Sequence, residues 1–273
     1  MRTGWLALLA AMFLAVSCAA PERAFPPERV LFVGNSLTYT GNLPAVFSAL
    51  AAADGAPMPS DMIVKPGGTL RERVADGSVA RALAGRRYAW LVIQERGGDL
   101  VCAFGPDSCV QSRQAIGDLA RMAVAKGTKV VLLGTYQPQE QASRHLVERE
   151  SAAAKEAGIA YAEVSETLRS LRAIAPELAW FAADGVHPGK DLVLLDALRL
   201  HQALRGRLPA SGELMVRAPI HGNPSGLDET LRASDTPSPR HDTVLEAHYS
   251  AETVRKVALG IERASGDGGD AAR

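Results

Sequence analysis

The sequence has no surplus of either charge and no internal repeat. Lysine and arginine number 30, aspartate and glutamate number 30, and the formal net charge is +0. A basic surplus would favour a nucleic-acid partner and an acidic surplus a polycationic one, so the composition supports neither. The hydrophobic content of 47% over 273 residues is enough for a sizeable core in one large domain with extensions.

Cysteine is scarce, and the histidines do not cluster. The chain has 3 cysteines and 6 histidines. The histidines show no spacing typical of metal ligands, so the sequence predicts no metal site. Cys102 and Cys109 bracket a loop that contains Gly105 and Pro106. In an oxidising compartment these cysteines are expected to form a disulfide, with two free thiols as the alternative.

Only the N-terminus contains a long hydrophobic run. Arg2 precedes an apolar stretch, 5–16, which is followed by small residues and is too short to span a bilayer. We predict an export signal over residues 1–18 and a proline-rich tether over 19–28. A buried core helix is the alternative, but the charged, proline-rich segment that follows at once argues against it.

The end of the export signal resembles a bacterial lipobox. Residues Leu14 to Cys18 read LAVSC, and the cysteine of such a motif is lipidated and becomes the first residue of the mature protein. The resemblance implies that Cys18 carries a lipid that anchors the protein to a membrane, in the periplasm or cell envelope. Ala15 stands where the motif usually has leucine, so ordinary cleavage after Ala20 is the alternative.

Short apolar segments alternate with helical patterns over most of the chain. The predicted strands are 30–34, 61–65, 88–94, 129–135 and 159–164, and the predicted helices between them are 43–53, 70–84, 111–126 and 139–157. Strands and helices that alternate in this way form right-handed βαβ units. The sequence therefore predicts a three-layer α/β/α fold with a parallel five-stranded sheet.

The remaining third of the predicted architecture is less regular. A closing helix is predicted over 190–204, which ends a main domain of residues 29–206. Residues 207–242 are rich in Pro, Gly, Ser and Asp and are interpreted as loop or extension. A short helix over 251–264 and a disordered tail over 265–273 complete a C-terminal extension, 207–273.

The stretch 30–40, VLFVGNSLTYT, is the first candidate for chemistry. Its apolar start fits a strand that is buried on both faces of a parallel sheet. Gly34 permits a tight turn where that strand ends, so Ser36 would lie at the carboxyl edge of the sheet, where ligands bind. Ser36 is a candidate nucleophile if a base reaches it; the alternative is a helix N-cap.

The second candidate is the segment DGVHPG. Asp184 lies three residues before His187 in a loop with glycine and proline, so its carboxylate can accept a hydrogen bond from one ring nitrogen. The other nitrogen is then free to take a proton from a nucleophile. An ordinary Asx-type turn that happens to contain a histidine is the alternative. A metal pair would need three or four ligands.

In this order, the two segments resemble the motifs of the SGNH (GDSL-like) hydrolase superfamily. In that family a GDS or GNS block follows the first strand, and a DxxH block near the end supplies the other two triad members. Residues 34–38 and 184–188 match these blocks. The GxSxG elbow of α/β-hydrolases is absent around Ser36, which argues against that fold. The resemblance covers roughly residues 29–206 and implies a triad of Ser36, Asp184 and His187.

The resemblance also implies an oxyanion hole. The family uses the backbone N–H of the serine, that of a glycine after the second strand, and an asparagine after the third. Here Ser36 supplies the first group and Gly67 the second, with Gly68 as the alternative. The asparagine is missing, and Gln94 carries the same amide at the strand's end. Gln94 either substitutes for it or only pairs with loop backbone.

From these residues we expect a bacterial serine esterase of SGNH type that is either secreted or lipid-anchored. Water would hydrolyse the acyl-enzyme, so the reaction needs no cofactor and no metal. Family analogy and an envelope location favour O-deacetylation of a glycan, with lipase, thioesterase or arylesterase activity as rivals. Two rivals from other classes are a non-catalytic, membrane-tethered glycan-binding protein, which the missing asparagine favours, and a structural envelope lipoprotein.

Overall fold

The computed structural model of the protein describes residues 28–267. The predicted export signal with Cys18, all of the predicted tether except Glu28, and residues 268–273 lie outside the described residues. Among the described residues, none of the helices is both long enough and apolar enough to span a bilayer.

The described chain alternates strands and helices up to residue 205 and then adds three strands and a last helix. The strands are β1 Val30–Gly34, β2 Ser60–Val64, β3 Trp90–Ile93, β4 Lys129–Leu133, β5 Ala160–Ala162, β6 Leu214–Ile220, β7 Arg232–Ala233 and β8 Val244–Tyr249. The helices are α1 Ser36–Tyr39, α2 Leu43–Ala53, α3 Leu70–Ala75, α4 Ser78–Gly85, α5 Pro106–Val124, α6 Glu140–Ala157, α7 Ser165–Ile174, α8 Lys190–Arg205 and α9 Ala251–Asp267.

The central sheet confirms the predicted three-layer α/β fold and corrects its strand count. Its order is β5-β4-β3-β1-β2-β7, which makes six strands rather than five. The first five are parallel, whereas β7 pairs antiparallel with β2, with Met62 opposite Arg232. The sequence did not predict β7 because two residues are too few to show a strand's alternation.

Helices cover both faces of this sheet, as the continuous apolar strand β1 requires. Val30 and Phe32 pack into the hydrophobic cluster that includes α2 and α8. Leu31 and Val33 point to the opposite face, into the cluster that includes α5. Because neighbouring residues of a strand face opposite sides, β1 is buried in full and lies at the centre of the fold.

The interpretation of residues 207–242 as loop is wrong in part. β6 and β7 lie within this range, and β6 pairs with β8 in a separate antiparallel sheet. In β6, Leu214 and Val216 are buried while Met215 and Arg217 are exposed, so the strand does have a two-residue alternation. α9 starts where predicted and continues to Asp267, three residues beyond the predicted end.

The strand order also fixes where a ligand can bind. From β1 the chain moves to β2 on one side, and β3, β4 and β5 follow on the other side of β1. In open α/β sheets the crevice lies outside the carboxyl ends of the strands at such a reversal. The segments that follow β1 and β3 therefore flank the crevice.

Candidate active site

Ser36 is the first residue of α1, directly beyond the end of β1. Asn35 caps this short helix, and its Oδ1 accepts a hydrogen bond from the N–H of Leu37 at 3.0 Å. Ser36 is partly exposed between these two buried neighbours. Gly34 is required here because a Cβ at this position would overlap the Thr38 hydroxyl. The turn thus presents the Ser36 side chain at the carboxyl edge of the sheet.

The Gln94 amide joins the ends of three strands. Its Oε1 accepts a hydrogen bond from Thr38 Oγ1 at 2.7 Å, and its Nε2 donates to the carbonyl of Gly134 at 3.3 Å. The residue is only 1% exposed. One of the two Nε2 hydrogens is therefore used within the protein, and the oxyanion role of Gln94 rests on the other. That role stays a prediction.

The glycine pair after β2 forms a turn in which the two N–H groups differ. Gly68 donates its N–H to the carbonyl of Lys65 at 3.0 Å, and Gly67 has a φ of +63°. Pro66 before a glycine with positive φ is typical of a type II turn. Within residues 28–267, the Gly67 N–H donates no hydrogen bond. The geometry therefore favours Gly67 over Gly68 as an oxyanion donor.

Asp184 and His187 lie together in the loop before α8. Asp184 Oδ1 accepts hydrogen bonds from the backbone N–H groups of Val186 and His187, both at 2.9 Å. Its Oδ2 lies 2.7 Å from His187 Nδ1. The two backbone bonds and the ring contact lower the pKa of Asp184 to about 2. The loop thus forms an Asx-type turn and also orients the histidine, which joins the two interpretations that the sequence left open.

The charge of Asp184 determines the tautomer of the ring. An ionised carboxylate can only accept hydrogen bonds, so Nδ1 of His187 must carry the hydrogen. In the neutral ring, Nε2 then has a free lone pair and can act as a base. This is the arrangement that a general base for a nucleophilic hydroxyl requires.

Tyr136 holds this loop through a hydrogen bond and a ring contact, and sequence reasoning missed it. Its hydroxyl donates a hydrogen bond to the carbonyl of Val186 at 2.7 Å, and its ring packs against Phe181 with centroids 5.6 Å apart. Burial raises the pKa of Tyr136, so the hydroxyl remains a donor. Tyr136 lies three residues after the end of β4, outside the segments that match the family's motifs. Nothing in the surrounding sequence indicated its contact with Val186.

Asn223 is the second residue that the sequence did not reveal. It belongs to the segment between β6 and β7, and its Nδ2 lies 3.3 Å from Nδ1 and 3.2 Å from Nε2 of His187. Its Oδ1 lies 3.4 Å from the hydroxyl of Tyr39, the last residue of the helix that begins with Ser36. This segment, residues 221–231, is called the C-terminal segment below. It contacts both His187 and the helix that begins with Ser36.

Glu95, next to Gln94, fixes the loop that carries Gly67. Its carboxylate accepts hydrogen bonds from the Leu70 N–H at 3.3 Å and from Ser112 Oγ at 3.0 Å. Burial and the neighbouring charge of Asp99 raise the pKa of Glu95 to about 8. The residue is 2% exposed and holds backbone rather than facing substrate.

A cleft of about 600 Å³ opens beside Gly67. Its wall includes Glu95, Arg96 and Phe104, and the Arg96 guanidinium lies 4.0 Å from the centroid of the Phe104 ring. Cys102 and Cys109 form the predicted disulfide, with an S–S distance of 2.01 Å, in the loop that precedes and enters α5. The side chains that line the cleft are mostly polar or charged.

The structure brings some predicted site residues into contact and leaves others apart. Asp184 contacts His187 directly, and Gln94 contacts the helix of Ser36 through Thr38. Among the described residues, no hydrogen bond joins Ser36 Oγ to His187. In that same part of the chain, no group of three His, Cys, Asp or Glu side chains could hold a metal ion.

The comparisons with known proteins rest on structure. No family model and no curated protein matches the sequence. A protein from Slackia heliotrinireducens described as an SGNH hydrolase has a TM-score of 0.54 and 25% identity, and the match covers 66% of this chain and all (100%) of the other. TesA matches with a TM-score of 0.52 at 21% identity, over 66% of this chain and 99% of its own.

A third solved structure is Axe2, an acetylxylan esterase from Geobacillus stearothermophilus. It has a TM-score of 0.51 and 17% identity, over 65% of this chain and 94% of its own. Catalytic mutants of Axe2 replace a serine, an aspartate, or the histidine three residues after that aspartate by alanine. The chain has the fold of the SGNH hydrolases.

Proposed function

We propose that this chain is an exported serine esterase that hydrolyses a carboxylic ester through Ser36, His187 and Asp184. The observation that carries the proposal is the contact of 2.7 Å between Asp184 and His187 Nδ1, which leaves Nε2 as the base. Axe2 supports it, because its catalytic mutants affect an aspartate and a histidine with the same spacing. The β1 turn supplies the serine at the same edge of the sheet.

In this mechanism Ser36 Oγ attacks the ester carbonyl carbon, and its proton passes to His187 Nε2. The tetrahedral intermediate collapses, the bond to the alcohol breaks, and His187 returns the proton to the leaving oxygen. Water then attacks the acyl-enzyme with His187 again as base, which releases the acid and restores Ser36. Asp184 stays ionised and stabilises the imidazolium that forms in each step.

The negative oxygen of the intermediate is stabilised by the N–H groups of Ser36 and Gly67. The second amide hydrogen of Gln94 adds a third donor in place of the family's asparagine. A donor of this kind typically contributes about 3–4 kcal/mol to the transition state. Glu95 supports this set indirectly, because it fixes the N-terminus of the helix that follows Gly67.

We infer a small acyl group on a polar alcohol, such as the O-acetyl group of a glycan. The cleft beside Gly67 is lined by side chains such as Arg71, Glu72 and Arg96, which suit hydroxyl groups better than a long acyl chain. Among the structural neighbours, Axe2 is an acetylxylan esterase. This polar lining argues against lipase activity.

The proposal includes export and a lipid anchor at Cys18, on the grounds of the sequence of residues 1–18. Metabolic labelling with a palmitate analogue is the test. Cys18→Ser should abolish the label and release the protein from the membrane fraction. Label that persists in Cys18→Ser would contradict the anchor without affecting the esterase proposal.

The esterase proposal is tested with the chain from residue 21 onwards and p-nitrophenyl esters of increasing acyl length. Wild type should turn over the acetate ester best, and Ser36→Ala should lose turnover and labelling by a fluorophosphonate. Ser151→Ala changes an exposed serine of α6 and should behave as wild type. Equal rates in wild type and Ser36→Ala would contradict the proposal and favour the glycan-binding protein, with glycan-array binding as the next measurement.

A further inference from the structure

The C-terminal segment reaches the histidine in an unusual geometry. Asn223 Nδ2 is almost equally far from Nδ1 and Nε2 of His187, at 3.3 Å and 3.2 Å. The N–H bond of Nδ1 and the lone pair of Nε2 point in different directions, and the ring carbon between the two nitrogens blocks an approach in the plane. The Asn223 amide therefore lies across the face of the imidazole and does not occupy the in-plane direction of the Nε2 lone pair.

The other end of the same amide is held by the helix of the nucleophile. The Tyr39 hydroxyl faces Asn223 Oδ1 at 3.4 Å and also faces Ser225. Tyr39 is 0% exposed, and burial raises the pKa of its hydroxyl. Since Tyr39 ends the short helix that Ser36 begins, Asn223 connects that helix to the imidazole.

The residues that follow the nucleophile's helix hold the backbone on both sides of Asn223 by hydrogen bonds. Gly41 donates its N–H to the carbonyl of His221 at 2.8 Å. The Asn42 amide, fully buried, donates to the carbonyls of Pro219 and Ser234 at 2.7 Å and 2.8 Å. Both contacts come from the connection between α1 and α2, which holds the segment that carries Asn223 beside the end of the nucleophile's helix.

We propose that Asn223 is a positioning residue that holds the His187 ring in the plane in which Nε2 can reach Ser36. Asp184 fixes one ring nitrogen but allows the ring to rock about that bond, and the Asn223 amide across its face restrains this motion. The inference rests on the proposed function, since it assigns the C-terminal segment a part in the same site. The solved structures compared above cover 65–66% of this chain.

The test compares Asn223→Ala with Asp228→Ala, a change at an exposed carboxylate of the same segment. A misplacement of the base by a fraction of an ångström to 1 Å lowers the rate by up to about 10²-fold. We therefore expect Asn223→Ala to lower kcat and the rate of Ser36 labelling by a fluorophosphonate roughly 10- to 100-fold with little change in KM. Asp228→Ala should match wild type.

A second readout does not depend on turnover. The proton on His187 Nδ1, bonded to Asp184, should give a downfield NMR resonance in wild type that broadens or exchanges faster in Asn223→Ala. A residue that only stabilises the loop would lower the thermal midpoint without this change. If Asn223→Ala does not fold, Tyr39→Phe removes the anchor of the same amide and should weaken the resonance and kcat in the same direction.

An unchanged kcat together with an unchanged Nδ1–H resonance in Asn223→Ala would overturn the proposal. A raised KM with unchanged kcat would also overturn it, because Asn223 would then contact substrate instead of positioning the base. The proposed function fails on a different result, full turnover in Ser36→Ala. In that event the resonance still decides whether Asn223 orders the His187 ring.

Discussion

Two carboxylates at the carboxyl edge of the sheet accept similar hydrogen bonds but differ in charge. Asp184 accepts two backbone N–H groups and a ring N–H, its side chain is 44% exposed, and its pKa is lowered to about 2. Glu95 accepts two backbone N–H groups and a hydroxyl, but burial raises its pKa to about 8. Burial of Glu95, together with the neighbouring charge of Asp99, separates the pKa values of the two groups, and the number of donors does not.

The difference matches what each carboxylate does. Asp184 must remain charged to hold the Nδ1 hydrogen and to stabilise an imidazolium, so it lies at the surface. Glu95 only has to bind the backbone beside the Gly67 loop and can remain neutral at neutral pH. The part of the site around His187, called the His187 side, therefore depends on the charge of Asp184. The part around Gly67, called the Gly67 side, depends on the backbone geometry that the hydrogen bonds of Glu95 maintain.

Of the substitutions that test this difference between the two carboxylates, Asp184→Asn should lower kcat the most. The amide keeps the shape but not the charge, so the ring loses its fixed tautomer, and we expect kcat to fall by about 10⁴-fold. The measurement is turnover of p-nitrophenyl acetate. Asp228→Asn is the matched control, since this exposed carboxylate also accepts a backbone N–H. Turnover close to wild type in Asp184→Asn would contradict the assigned role.

Glu95→Gln, the same type of change, should be tolerated at neutral pH and should alter the pH dependence of stability. The folded pKa of Glu95, about 8, lies above its ordinary value of 4.5. The folded state therefore binds more protons than the unfolded state in this window, and stability falls as pH rises from 4.5 to about 8. Urea unfolding across this window should show a smaller fall in Glu95→Gln than in wild type.

Glu150 provides an internal control for the pH dependence of stability in Glu95→Gln. Glu150 is also buried with its pKa raised, to about 7, so it contributes to the same fall and should still do so in Glu95→Gln. Asp184 works in the opposite direction, and its contribution is lost only as pH falls towards about 2. An unchanged pH profile in Glu95→Gln would mean that Glu95 is ionised in the folded protein.

The parts of the site that the sequence predicted are those whose contacts are local. Asp184 and His187 are three residues apart, and the turn between them follows from their types. Gly67 follows Pro66, which already indicates the turn that the structure contains. The five parallel strands were predictable because each is a short apolar run between helical patterns.

The parts that the sequence missed depend on contacts between distant residues. Asn223 is 36 residues from His187 and 184 from Tyr39, and no periodicity records such a contact. Glu95 received no role because its partners come from α3 and α5 as well as from its own backbone. The strand β7 is formed by two residues that pair with the edge strand β2, and a two-residue segment has no local pattern that indicates such a pairing.

The next smaller effect is expected from removing the Cys102–Cys109 disulfide, whose loop carries Phe104 of the cleft wall. Cys102 and Cys109 are 7 residues apart. Closing so short a loop lowers the conformational entropy of the unfolded chain, which stabilises the folded state by about 2 kcal/mol. The double variant Cys102→Ser/Cys109→Ser should lose about this amount of unfolding free energy in urea and keep its kcat. Reductant should destabilise wild type but not the double variant. A large loss of kcat would show that this loop orders the oxyanion donors.

Phe104→Ala should have the smallest effect and sharpens the comparison most directly, because it tests the Gly67 side without touching Glu95. The ring is 57% exposed and stacks on Arg96 at 4.0 Å, a contact worth about 0.5–1 kcal/mol. Arg96 keeps its two hydrogen bonds to Asp99, so the cleft keeps its shape. Val110→Ala, at an exposed apolar residue of α5, is the control.

The kinetic result of Phe104→Ala separates the two sides of the site. If the cleft binds the alcohol portion of the ester, KM for an acetylated glycan should rise while kcat and the rate with p-nitrophenyl acetate stay the same. A loss of kcat on both substrates would mean that this wall also supports the oxyanion donors. In that case kcat would depend on the cleft wall of the Gly67 side as well as on the charge of Asp184 on the His187 side.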